Sequence, residues 1–223
     1  MIPGNVGTAV IQNIGAYGVE LKDVFHTCET VEIQGGNERL FQREDVHFGY
    51  RDSVFKREEK GRFVITKLRV RLTKTNHKLS IDYGDIKPAL GEKKITPKTI
   101  AEAVIGIRKS KLPDPKVLGN SGSFFKNPVV SSQHAETLSM QYPNMPSYPF
   151  GDGLTKIPAG WLIEKCGLKG HRKGDAGVHK KQALVLVNYG NATGEEILSL
   201  AQKVKKNVLE KFKIPLEFEV NIY

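Results

Sequence analysis

Cysteine is nearly absent from this 223-residue chain: Cys28 and Cys166 are the only two, and neither sits in a C-x-x-C pair. That leaves no disulfide framework or zinc cluster to read, and a reducing compartment is the default. Long apolar runs are missing too. The longest, Ala183 to Val187, is far below the ~20 residues a membrane helix needs. The start, Met1-Ile2-Pro3-Gly4-Asn5, has no charged region followed by an apolar stretch of signal-peptide length. These absences predict a cytoplasmic protein without membrane attachment. Aromatic residues make up 8% of the chain and are not interleaved with its lysines, which are spread along it. The net charge of +10 therefore lacks the clustering of a nucleic-acid module and suits a protein that handles anionic small molecules or one that is simply well solvated. What is present, 39% hydrophobic and 26% charged residues, is an ordinary globular composition with chain enough for one large domain or two modest ones.

Residues 1–20 are rich in glycine, which lets backbone approach a ligand closely or turn tightly. Val31–Gln34 and Glu38–Phe41, separated by Gly35-Gly36-Asn37, predict a hairpin. Over 63–72, Val64, Thr66, Leu68, Val70 and Leu72 alternate with Lys67, Arg69 and Arg71, which predicts a strand with the first set buried. Thr96-Pro97 starts a helix carrying Ile100, Ala103, Val104 and Ile107, and it ends before Pro113-Asp114-Pro115, a boundary between lobes. Beyond it, Pro158 opens a short helix that Gly167 ends, and Ala183–Val187 is a buried strand. Thr193 and Glu196 form a capping box for a helix with the stripe Ile197, Leu200, Ala201, Val204 and Val208. A last strand is expected over Leu216–Ile222. The fold class is α+β.

Three segments hold more polar residues and glycine than packing explains: Phe48–Ser53, Lys111–Pro128 and Leu216–Val220. Alone, each has an ordinary reading: local surface charge at Arg51-Asp52, a turn at Ser123, the wet face of a strand at Glu219. Together and in order, Gly-Tyr-Arg-Asp-Ser, Gly-Ser-Phe-Phe-Lys-Asn-Pro and the terminal Leu-Glu-x-Glu-Val resemble the UDP-N-acetylenolpyruvoylglucosamine reductase family. So do Ile2-Pro3-Gly4, Gln12–Gly18, Lys111–Pro115 and Ala159–Ile163. Asp82-Tyr83-Gly84-Asp85 is similar to the family's type I form, in which a tyrosine loop covers the substrate.

The resemblance implies an NADPH- and FAD-dependent oxidoreductase that reduces UDP-N-acetylglucosamine enolpyruvate to UDP-N-acetylmuramate for peptidoglycan synthesis. Negative charge would develop beside the substrate carboxylate, and Arg51 matches the family's polarising cation. Glu219 matches a second polarising group, where a protonated carboxyl could donate a hydrogen bond. Ser123 matches the proton donor to the enolic carbon, with Lys111 the candidate cation beside it. By the same correspondence Tyr83, Lys111, Asn127, Tyr148, Lys169 and Gln182 are substrate contacts, and Pro3, Gly4, Gln12, Asn13, Ile14, Gly15 and Ile65 lie on the flavin side. Residues 1–112, with a final strand 213–223 returning to them, would be the remainder of an FAD-binding α+β domain; 113–212 would be the α+β domain that binds the UDP-sugar.

The chain departs from the family's pattern at several points. The upstream glycine-rich stretch that cradles the FAD pyrophosphate is not in it, and Met1 stands where a glycine is usual. Phe218 replaces a common proline and Asn221 a common arginine. The resemblance therefore implies a polypeptide whose upstream part is encoded separately or just before Met1. The alternative is a non-catalytic UDP-sugar-binding remnant. A nucleic-acid-binding module is the reading the motifs exclude.

Overall fold

The computed structural model describes residues 4–223, which gather into two compact units, one ending at Arg108 and one running from Lys109 to Tyr223. Pro3, expected on the flavin side, lies outside the described residues. The division falls inside the last turn of a helix, slightly ahead of the boundary read from the prolines.

In the first unit, β1 (Gly15–Ala16) and β2 (Val19–Glu20) form a small antiparallel hairpin. Strands β3 (Phe25–Glu32), β4 (Glu38–Gln42) and β5 (Phe63–Val70) form an antiparallel sheet in the order β4-β3-β5. Gly35 (φ 100°) and Gly36 (φ 69°) make the predicted turn between β3 and β4 in a backbone region that side chains disfavour. One face of this sheet packs Phe25, Cys28 and Phe41 against Val10, Val46, Val54 and Phe55. Burial pushes the Cys28 thiol up to about 12, so it stays protonated and unreactive at neutral pH.

The phase expected for β5 fails before Thr66 and at Val70 and Leu72, but holds at Leu68 and at the exposed Lys67, Arg69 and Arg71. Phe63, Ile65 and Leu68 pack on the core, while Val64, Val70 and Leu72 are exposed. The cause is a β-bulge: Thr30 pairs with Ile65 but Glu29 pairs with Lys67, leaving Thr66 as the extra residue. One extra residue inverts the two-residue side-chain period beyond it. The Thr66 hydroxyl donates to the Glu29 carbonyl at 3.1 Å.

Helices α1 (Ile86–Leu90) and α2 (Pro97–Lys111) pack Ile86, Leu90 and Ile107 together. Helix α2 starts as the sequence predicts. Thr99 N–H donates to Thr96 Oγ1 at 3.1 Å and Thr96 N–H donates to Thr99 Oγ1 at 2.9 Å, a reciprocal cap in which threonine replaces the usual Glu or Gln.

The second unit contains β6 (Gly119–Ser123), β7 (Val129–Ser131), α3 (Ser132–Gln141), β8 (Tyr148–Pro149), β9 (Leu154–Lys156) and α4 (Ala159–Lys165). It continues with β10 (Arg172–Lys173), β11 (Ala176–Val178), β12 (Val185–Asn188) and α5 (Gly194–Phe212). Among the described residues, the sheets run β10-β11-β12-β6 and β7-β9-β8. Helix α5 carries the predicted Thr193–Glu196 box and buries Leu200, Ala201, Val204, Val208 and Phe212 in a core with Leu162, Ile163 and Leu186. Gly167 (φ 73°) ends α4: its N–H reaches Glu164 O at 2.9 Å and Leu168 N–H reaches Ile163 O at 3.2 Å, the paired bonds of a Schellman turn. The strand expected over 216–222 shrinks to one bridge, Phe218 with Phe125, flanked by Lys126 N–H to Glu217 O and Glu219 N–H to Phe124 O, both 2.9 Å. Alternation survives in burial, with Ile214 and Leu216 inside, but the ladder stops after Glu219. This segment packs with the second unit.

His179 is only 7% exposed, and its Nδ1 has no hydrogen-bond partner. Burial, then the neighbouring Lys181 and Lys180 charges, hold its pKa below the ordinary histidine value. An unfolded chain thus binds a proton that the folded chain refuses. The neutral histidine's contribution is present above pH ~6.5 and is lost as pH falls toward the depressed folded value. The melting temperature should fall between pH 7 and pH 5, and His179→Phe should flatten that slope. An unchanged slope in the variant would show that other groups carry it.

Candidate functional site

In the first unit, two glycine-containing segments distant in sequence are tied together. Phe48–Ser53 makes a tight turn: Gly49 bridges Asp52, with Gly49 N–H to Asp52 O at 3.0 Å, and Arg51 sits at its crown with φ 56°. The turn is fastened to residues 11–15 at three points. Asn13 Nδ2 donates to Gly49 O at 2.9 Å, Arg51 Nη2 donates to Gly15 O at 2.7 Å, and Ser53 Oγ donates to Ile11 O at 2.6 Å. Asp52 is ion-paired with Arg57, and Lys56 Nζ donates to Arg51 O at 3.2 Å. Gly15 must be glycine: a Cβ there would stand 2.7 Å from Glu20 Cγ and 2.8 Å from Val19 O.

Of the flavin-side set, the structure brings Asn13, Ile14 and Gly15 together with Arg51, with Gln12 half-buried beside them. Ile14 and Gly15 line a cavity of about 540 Å³ with Ala16, Tyr17, Ile86 and Ile100. Ile65 is elsewhere, lining a separate cavity of about 600 Å³ with Gly7 and Thr8. Gly4 is exposed with φ 105°. Tyr83 packs edge-on against Tyr17, ring centroids 5.9 Å apart.

In the second unit, Ser123 ends β6 opposite Val185, just after the left-handed Gly122 (φ 75°), whose N–H is held by Asn120 Oδ1 at 3.0 Å. The next residue is the hub. Phe124 N–H donates to Leu184 O at 2.8 Å, two residues from Gln182, and Phe124 O accepts Glu219 N–H at 2.9 Å. Asn127 Oδ1 accepts Ala159 N–H at 2.9 Å at the start of α4, and a Cβ on the adjacent Gly160 would be 3.1 Å from Gln182 Oε1. Ser123, Asn127, Gln182 and Glu219 are therefore linked through neighbouring backbone. The remaining expected contacts are placed differently. Tyr148 lies in β8 in register with Lys156, Lys169 is ion-paired to Glu164 at 2.8 Å, and Lys111 ends α2.

Sequence reading missed the supporting residues. Ser53 and Asn120 act on backbone from within the quoted motifs, and Lys126 pairs with Glu217 at 2.9 Å, clasping the terminal segment. Two motif residues that pair across 91 positions have no local signal.

Comparison with known proteins places the chain in a family. Residues 114–223 match the family model for the UDP-N-acetylenolpyruvoylglucosamine reductase C-terminal domain. The whole chain is 53% identical to a UDP-N-acetylenolpyruvoylglucosamine reductase of Flavobacterium johnsoniae and covers 67% of its length. Against the enzyme of that name from Chromobacterium violaceum, identity is 51%, covering 98% of this chain and 65% of the relative. The chain thus spans about two thirds of the length of these relatives. In structure it resembles the reductase of Thermus caldophilus, with a TM-score of 0.61 at 24% identity, covering 100% of this chain and 61% of that one. That likeness fits the α+β architecture described above. The chain belongs to the UDP-N-acetylenolpyruvoylglucosamine reductase family.

Proposed function

We propose that this chain takes part in reducing UDP-N-acetylglucosamine enolpyruvate to UDP-N-acetylmuramate, a cytoplasmic step toward peptidoglycan, with FAD as cofactor and NADPH as reductant. The observation that supports it most is the hub at Phe124, whose backbone links the Ser123, Gln182 and Glu219 segments. The first unit suits a flavin. The cavity beside Ile14 and Gly15 is walled by apolar side chains such as Ile86, Ile100 and Val104, as an aromatic ring system requires, and the second cavity at Gly7 and Ile65 offers an extended cofactor another contact. When bound, FAD supplies hydride transfer between NADPH and the vinyl carbon of the substrate.

The chain's own residues do the rest. Arg51, oriented by the Gly15 carbonyl, places a fixed positive charge for the substrate carboxylate as charge spreads into it. Glu219 is the second polarising group for the reacting carbon. Ser123 delivers a proton from Oγ to the enolic carbon, with Lys111 as the cation that makes its hydroxyl a better acid. Asn127, Gln182, Tyr148, Lys169 and Tyr83 contact the UDP-sugar, which places the sugar nucleotide mainly on residues 113–212.

Isothermal calorimetry of the whole chain with UDP-N-acetylglucosamine enolpyruvate tests this without cofactor. Saturable binding is expected, weakened at least about tenfold by Gln182→Ala, which removes one hydrogen-bonding amide worth ~1.5 kcal/mol. A folded chain that gives no heat at millimolar ligand would remove the substrate from the reading.

A further inference from the structure

We propose that Ser53 and Asn13 are positioning residues that hold the Arg51 guanidinium in place; the proposal rests on the reading that Arg51 faces the substrate carboxylate. Both side chains are fully buried, at 0% exposure, although both are polar and neither lies in an apolar-periodic element. Each is satisfied entirely by protein. Asn13 spends both hydrogens of Nδ2, one on Gly49 O and one on Glu20 Oε2, each at 2.9 Å, while its Oδ1 accepts Lys22 N–H at 2.9 Å. Both N–H groups of that amide are spent on the loop and its neighbour, so the Asn13 side chain holds the turn. Ser53 donates to Ile11 O at 2.6 Å and accepts Phe55 N–H at 3.2 Å.

The two residues grip the ends of one four-residue turn. Asn13 holds Gly49 and Ser53 adjoins Asp52, and Gly49 and Asp52 are the residues that close the turn around Arg51. Arg51 itself is left-handed, as is Asn13 (φ 46°), and Tyr17 (φ 55°) and His47 (φ 44°) flank the two segments that the clip joins; among the described residues only Asn76 and Lys213 share that non-glycine conformation elsewhere. A residue in that region persists only where its surroundings over-determine it. Here the surroundings are two buried anchors behind the turn and the Gly15 carbonyl and the Tyr50 ring, 5.2 Å from Cζ, around the guanidinium. Loosening either anchor lets the crown relax and moves the charge without removing it.

The test uses the chain labelled with ¹⁵N-arginine, reading the rotation rate of the Arg51 guanidinium by NMR. Ser53→Ala should speed that rotation about tenfold, the factor a single lost hydrogen bond is worth, and Ser53→Thr, which keeps the hydroxyl, should restore it. If Ser53→Ala loses its cooperative melt, Asn13→Ser carries the same prediction. Unchanged rotation in a folded variant overturns the proposal. Adding UDP-N-acetylglucosamine enolpyruvate to the wild-type chain separates the two claims. An Arg51 signal held in wild type, freed by Ser53→Ala and indifferent to the ligand would keep the positioning role and remove the carboxylate role.

Discussion

Replacing Phe125 with alanine should cost the second unit about 3–5 kcal/mol, the range for deleting a buried aromatic ring. Phe125 is 1% exposed and stands between Phe124 and Phe218, at 5.4 Å and 5.7 Å between ring centroids. It also forms the isolated bridge with Phe218 that joins the terminal segment to the chain just after β6. The loss should therefore have a local signature beyond a lower urea midpoint. Hydrogen exchange at Glu219 N–H, now held by Phe124 O, should accelerate more than exchange in α5. Since a domain is stable by only ~5–15 kcal/mol, this one change would take a large share of the margin. A cost under ~1 kcal/mol, or uniform exchange, would mean that Phe125 is not what holds Glu219.

Ser123→Ala has the largest expected effect on chemistry. Removing a positioned general acid costs on the order of 10²–10⁴-fold in rate, and in the proposed role Ser123 contributes only once the hydride has reached the substrate. With FAD bound, NADPH should still reduce the flavin at close to the wild-type rate, while oxidation of the reduced flavin by substrate should nearly stop. Ser123 is an exposed strand-end residue whose partner across the sheet is Val185, so the alanine variant should fold normally. Equal loss in both half-reactions, measured by stopped flow, would point instead to damage shared by both, such as displacement of Gly122 and Phe124.

Much of the fold was legible because its signals are local. A threonine before Pro97, the Thr193–Glu196 pair and the Gly35-Gly36 turn each work within a few residues of chain, and each element begins or turns where those residues say. The phase of β5 was not legible. A bulge is set by how Glu29 and Thr30 pair with a strand 37 residues away, and the run Val64–Leu72 reads the same with or without it. The terminal strand failed for a related reason: its alternation records burial of Ile214 and Leu216, whereas a ladder needs a partner edge, and pairing ends at Phe124. At the site, motif order named Arg51, Ser123 and Glu219, but it could not say what each neighbour does. The family resemblance put Asn13 on the flavin side without saying what its side chain bonds. Its bonds to Gly49 and Glu20 exist only once the turn at Arg51 has folded over that loop.

If these residues serve the reduction of an enolpyruvyl sugar nucleotide, activity is measured most directly by joining the chain to the third of the Flavobacterium relative that it does not cover, adding FAD, NADPH and UDP-N-acetylglucosamine enolpyruvate, and following the product by mass spectrometry. The account predicts a product heavier than the substrate by two hydrogens, formed with NADPH consumed in equal amount, and its disappearance in Ser123→Ala while NADPH still bleaches the flavin. A folded, yellow protein whose flavin is bleached by NADPH but which forms no reduced sugar nucleotide would contradict it.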